Sequence, residues 1–155
     1  MIPRIYVDNS VISGVFDAKW QAATCELFRL KDLGCIQLVA SEVTLREARR
    51  ALGRGRLHVW EHFEKHFSRQ DLLPLTKDVE RLAADYISGG AATVNQEEDA
   101  QHVAVCTLEG IPDLVSCNFR HLVRPHRAAK FNRINLLHGL PQVRIISPED
   151  CLYEY

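Results

Sequence analysis

Three carboxylates, Asp8, Glu47 and Asp99, stand where acid groups could act together on a phosphate. Asp8 closes the apolar run Ile5-Tyr6-Val7, read as a strand, and Asn9-Ser10 follow. An acid there either caps the next turn or sits at the ligand edge of a sheet. Glu47 lies four residues after Val43 in a helical segment beginning at Ser41, so the two share a face and the acid points inward. Asp99 falls on one helical face with Val103 and Cys106, whereas Glu98 aligns with His102 and Glu109 on a wetter face. Free N–H groups in a first helical turn favour an ionised carboxylate. Each acid alone has an ordinary explanation, as a cap, a solvated helix residue or a first-turn acid. Three converging on one edge would repel one another, and a divalent cation relieves that cost. Hard oxygen ligands suit Mg²⁺ or Mn²⁺ rather than zinc.

The elements that must position these acids alternate along the chain. Strands are expected at Ile5–Asp8, Cys35–Ala40, Leu72–Leu75, Ile111–Ser116 and Val143–Ser147. Helices are expected over Lys19–Leu33, from Ser41 to about Leu52, Leu57–Phe67, Lys77–Ser88 behind a Thr76 cap, and Glu97–Glu109, with further helical stretches to about His138. Short apolar strands separated by helices imply α/β architecture, a parallel sheet covered on both faces and read as one domain over residues 1–155. Such sheets bind ligands at the carboxyl ends of their strands.

Four segments in order then resemble the motifs of PIN-domain nucleases: Ile5–Ser10, Ser41 with Glu47, Glu98–Ala104, and Val115–Leu122. The tail, Phe131–Gly139 followed by Ile145-Ile146-Ser147-Pro148, resembles a bacterial subgroup, the VapC-like toxin ribonucleases of toxin–antitoxin systems. The resemblance implies a three-layer α/β/α fold with a five-stranded parallel sheet and metal-dependent cleavage of RNA. It places the metal-binding acids on Asp8, Glu47 and Asp99. It further implies an antitoxin protein as partner and a homodimer. A fourth acid, frequent in the last motif, falls on Asn118 here. An amide offers a carbonyl oxygen but no charge, so a second ion should bind more weakly.

Two basic stretches flank these acids. Leu114 to Pro148 holds no acid but carries Arg120, Arg124, Arg127, Lys130, Arg133 and Arg144; the other run is Arg46, Arg49, Arg50, Arg54 and Arg56. Such groups either hold RNA phosphates or form a solvated face. In the expected mechanism Asp8 and Asp99 hold the main ion, and Glu47 holds it directly or through water. Asn118 and Ser10 position the water or the scissile phosphate, and His121, Arg120, Arg124, Arg127 and Lys130 contact the strand. His102 reads as a helix-packing residue or an orienter of a neighbour. His58, His62 and His66 recur at i, i+4, i+8, and are read as a solvated stripe opposite Trp60, Phe63 and Phe67.

The bulk numbers narrow the alternatives. With 155 residues, 46% hydrophobic and 25% charged, the composition is that of a globular domain. The net charge of −1 makes any RNA footprint local. No apolar run is long enough to span a bilayer, and no signal region opens the chain, so a cytoplasmic protein is expected. The five cysteines form no C-x-x-C pair and read as buried free thiols. Two rival functions share these features: an RNA-binding or regulatory module weakened by Asn118, and a metal-dependent phosphatase. The latter lacks a second Asp two residues after Asp8, where Ser10 stands.

Overall fold

A computed structural model describes residues 1–155. Four parallel strands, β1 (Arg4–Val7), β2 (Gln37–Val39), β3 (Asp113–Val115) and β4 (Arg144–Ile146), lie in the order β2-β1-β3-β4. Side chains alternate across each strand. Tyr6, Val39, Leu114 and Ile145 therefore enter one core, while Ile5, Val7, Leu38 and Val115 enter another. Helices α5 (Lys77–Ser88), α6 (Glu97–Glu109) and α7 (Pro125–Leu137) cover the first face. The second is covered by α1 (Asn9–Gly14), α2 (Gln21–Asp32), α3 (Glu42–Gly53), α4 (Leu57–His66) and α8 (Pro148–Leu152). The result is the expected three-layer α/β/α arrangement.

The sheet has four strands, not five. Leu72–Leu75 makes only an isolated bridge, Ser41 to Leu73. The Leu73 N–H donates to the Ala40 carbonyl, and the Leu73 carbonyl accepts from the Glu42 N–H. Pro74 then has no N–H to offer, and the Leu75 N–H donates to the Glu42 carboxylate at 2.8 Å instead of a strand. The ladder cannot propagate past one residue.

Three further expectations are corrected. Cys25 and Cys35 are exposed, Cys117 is half-buried, and only Cys106 and Cys151 are buried. Cys25 lies off the α2 face formed by Ala23, Thr24, Leu27 and Phe28, and Cys35 lies in the turn after Gly34. The α4 histidines are not a solvated stripe: His62 and His66 pack against Phe28, and His58 and His62 meet Phe16 edge-on. The α6 face carrying His102 is not wet, because that helix is buried continuously from Ala100 to Thr107.

The tail asparagines act as braces. Asn132 accepts from the Val143 N–H at 2.9 Å and donates to the Val143 carbonyl at 2.8 Å, which fixes the chain entering β4. Asn135, fully buried, accepts from the Tyr86 hydroxyl at 2.5 Å. At the amino end of the sheet Asp113 is buried but neutralised: Arg144 Nε donates to it at 2.8 Å and the Tyr155 hydroxyl at 3.2 Å.

Candidate metal centre

From β1 the chain crosses to β2 on one side, and β3 lies on the other, so the topological switch falls between β1 and β3. Ligands of open parallel sheets bind in the crevice at that point, beyond the carboxyl ends of the strands. Asp8 and Ser116 each follow the last residue of one of these two strands.

Asp8 is buried and extended, and its side chain caps α1. Its Oδ1 accepts from the Ser10 N–H at 3.0 Å and the Ser10 hydroxyl at 2.5 Å; Oδ2 accepts from the Ser116 hydroxyl at 2.6 Å. The cap and the edge position are thus one and the same residue. Burial pushes its carboxyl up, the nearby charge of Glu47 adds to this, and His102 and the serine hydrogen bonds oppose it.

Ser41 caps α3 through the Val43 N–H, and α3 carries Glu47 toward the crevice. His102 Nε2 lies 2.7 Å from Glu47 Oε1, and His102 Nδ1 lies 2.6 Å from the Tyr6 hydroxyl, which also meets Ser41 Oγ at 2.6 Å. Burial alone would depress the imidazole, yet Glu47, Asp8 and Asp99 together raise it to about 9. His102 thus orients Glu47, and the carboxylates around the ring favour its charged form.

Asp99 accepts no hydrogen bond from any protein group, although it is only partly exposed. Burial pushes its carboxyl up to about 7; His102 opposes this, and the charges of Asp8, Glu47 and Glu98 add to it. The Glu47 Oε2 atom is likewise without a protein donor, and Asn9 Oδ1 is buried with no partner. This chemistry of unpaired oxygens fits a hard divalent cation. The distances are looser than a closed site: no three acid, histidine or cysteine side chains are close enough to hold one ion as they stand.

The other expected residues divide into two sets. Ser10 faces Asp8 and also accepts from the Cys117 N–H at 2.8 Å. Asn118 spends its carbonyl oxygen on the His121 N–H at 3.1 Å, so it caps its own turn, and its amide nitrogen makes no hydrogen bond. His121 Nδ1 and Arg127 both meet the Gln96 side chain, at 2.9 and 2.7 Å, tying this turn to the start of α6. Arg124 Nε donates to the Phe119 carbonyl. Arg120 and Lys130 are exposed and unpaired. Arg46 and Arg50, beside Glu47, are held by Glu98 at 3.0 and 2.7 Å.

Sequence reasoning gave no role to Ser116, Tyr6, Gln96 or Thr44, whose hydroxyl donates to the Val7 carbonyl at 3.3 Å. Ser116 could have been found by the strand-end argument that found Asp8. Tyr6, a tyrosine in a buried strand, signals a hydroxyl needing a partner; Thr44 and Gln96 carried no signal.

No family pattern matches the sequence, and no curated protein is similar to it. Solved structures do match. VapBC2 from Rickettsia felis, bound to a DNA fragment from their promoter, shares 10% identity over 93% of this chain and 98% of that chain, with a TM-score of 0.61. FitAcB from Neisseria gonorrhoeae shares 15% over 93% and 97%, with a TM-score of 0.59. The fold is that of a PIN domain. In this chain the crevice between β1 and β3 is flanked by α3 and α6, which carry Glu47 and Asp99 and meet through Glu47 and His102.

Proposed function

We propose that this chain is an Mg²⁺- or Mn²⁺-dependent endoribonuclease, the toxin component of a toxin–antitoxin pair. One observation carries the reading: Asp99, partly buried and without a protein donor, lies one helical turn before His102, the ring that meets Glu47 at 2.7 Å. A carboxylate kept in that condition suits a cation from outside the chain. Asp8, Glu47 and Asp99 would hold it. When bound, such an ion supplies positive charge to the scissile phosphate and acidifies water.

The chain's own groups do the positioning. Ser10 and Ser116 fix the rotamer of Asp8 through three hydrogen bonds. His102 fixes Glu47 and offsets part of the negative charge that would repel RNA. The Asn118 amide nitrogen is free to donate to a phosphate oxygen. Arg120 and Lys130 supply phosphate contacts further along the strand. An antitoxin protein is the proposed partner, on the strength of the fold shared with VapBC2 and FitAcB. A homodimer and a cytoplasmic location belong to the same proposal; no helix is long and apolar enough to cross a membrane.

A second reading, an RNA-binding module without catalysis, is favoured by the absence of three acids within reach of one ion. An RNA cleavage assay decides between them. The nuclease cleaves with Mn²⁺ and not with EDTA, and its Asp8→Asn variant does not cleave. Binding without cleavage at any Mn²⁺ concentration favours the module.

A further inference from the structure

Trp20 and Phe119 stack almost parallel, with ring centres 4.9 Å apart and planes inclined by 5°. Neither ring belongs to either core, and Phe119 remains 37% exposed. A phenyl group left in water beside a polar site loses the burial that ordinarily stabilises it. Its backbone is nonetheless fixed at both ends: the Phe119 N–H donates to the Cys117 carbonyl, and its carbonyl accepts from Arg124. Cys117 in turn donates to Ser10 Oγ, and Ser10 donates to Asp8. Three links therefore hold this ring at a set distance from the carboxylates. The Lys19 ammonium lies 4.9 Å from the centre of the Trp20 ring, placing positive charge beside the stack.

We propose that the exposed face of Phe119, backed by Trp20, seats an unpaired nucleobase of the RNA strand, with Lys19, which lies over the Trp20 ring, contacting a backbone phosphate. The proposal rests on the ribonuclease reading and adds a substrate-positioning element to it. Base–aromatic stacking is tolerant of sequence, because every base has a π face. The seat therefore demands a single strand rather than a base identity, since a paired base has no free face to offer.

The test uses the full chain in EDTA, where cleavage cannot confuse binding. Trp20 and Trp60 are the only tryptophans, so a Trp60→Phe protein reports from Trp20 alone. It is titrated with a mixed-sequence single-stranded RNA and with a strand of equal length built of abasic ribose units. The intact strand quenches Trp20 emission and binds about tenfold more tightly than the abasic one. Phe119→Leu, checked by thermal melting for retained folding, removes that tenfold preference and leaves abasic binding unchanged; Phe119→Tyr restores it. Equal binding of both strands, no quenching, no binding at all, or a Phe119→Leu loss shared by both strands overturns the seat. Mn²⁺-dependent cleavage by the wild-type chain is scored separately. Cleavage with equal binding of the two strands removes the seat and keeps the nuclease. Base-dependent quenching without cleavage does the reverse.

Discussion

His102 holds Glu47 through Nε2 at 2.7 Å while its Nδ1 meets the Tyr6 hydroxyl at 2.6 Å, so one buried ring joins the strand to the acid. Replacing His102 with Phe removes the short contact to Glu47 and leaves the Tyr6 hydroxyl only its Ser41 and Thr44 partners. Leaving buried polar groups unpaired costs about 1–3 kcal/mol. Loss of such an orienting bond weakens metal affinity by roughly 10–100-fold. Urea denaturation and Mn²⁺ calorimetry on His102→Phe should show both losses. Unchanged Mn²⁺ affinity would mean that Glu47 does not need its orienter.

Asp99 is the reverse case, an acid whose charge the folded chain tolerates poorly. Asp99→Asn removes repulsion and breaks no protein hydrogen bond. In EDTA at neutral pH the variant should be more stable by on the order of 1 kcal/mol, discounted for partial exposure. Mn²⁺ should raise the melting temperature of wild type and not of the variant, and cleavage should vanish. A variant that is less stable in EDTA contradicts the assignment.

The salt dependence of RNA binding separates free cations from structural ones. Arg124 and Arg127 are engaged within their own turn, so reversing them disturbs the loop as well as any phosphate contact. Arg120 and Lys130 are the cleaner probes. Neutralising each to Gln should lower the slope of log affinity against log salt by about 0.7 for a single strand. Slopes identical to wild type would make both residues solvated bystanders.

His62 gives the fold a pH dependence away from the site. Burial, then the neighbouring His66 and lysine charges, lowers its imidazole to about 4, and its Nε2 is buried without a partner. A folded value below the unfolded 6.5 means that the unfolded chain takes up the proton first. This stabilisation is complete above 6.5 and is lost as pH falls from there to about 4. His66 shifts in the same direction. His62→Phe should lose less stability between pH 7 and 4.5, by about 1 kcal/mol after discounting for exposure. Parallel pH profiles for the two proteins would refute this.

Asn118→Asp probes the missing fourth acid. The new carboxylate can still accept from the His121 N–H and adds charge beside the crevice. Mn²⁺ binding should tighten several-fold, since hard ions follow ligand charge. Calorimetry showing two tight sites already in the native protein, or no gain in the variant, would contradict a single-ion site.

Much of this arrangement is legible before any coordinates. Ser41, Thr76 and Gly110 bound their helices as capping chemistry requires, and α5 and α6 fall on the expected residues. The inward aim of Glu47 follows from its register with Val43. What the linear pattern hides is pairing between segments. Leu72–Leu75 has the apolar character of a strand, and Pro74 together with the capture of the Leu75 N–H by Glu42 shows why it stops. The histidines of α4 look solvated by spacing because Phe16 and Phe28, which cover them, lie on other elements. His102 looks wet by its alignment with Glu98, and α6 is buried on both sides there.

Asp113 and Asp8 sit at opposite ends of the same pair of strands, and the chain treats them differently. Asp113 has its cation built in, through Arg144 on the neighbouring strand. One end of the sheet therefore needs no cation from outside the chain. The other end is left incomplete. Chelation should loosen it selectively, so amide exchange should quicken around Asn9–Gly14 and the Cys117–Arg124 turn while the Asp113–Arg144 end keeps its protection.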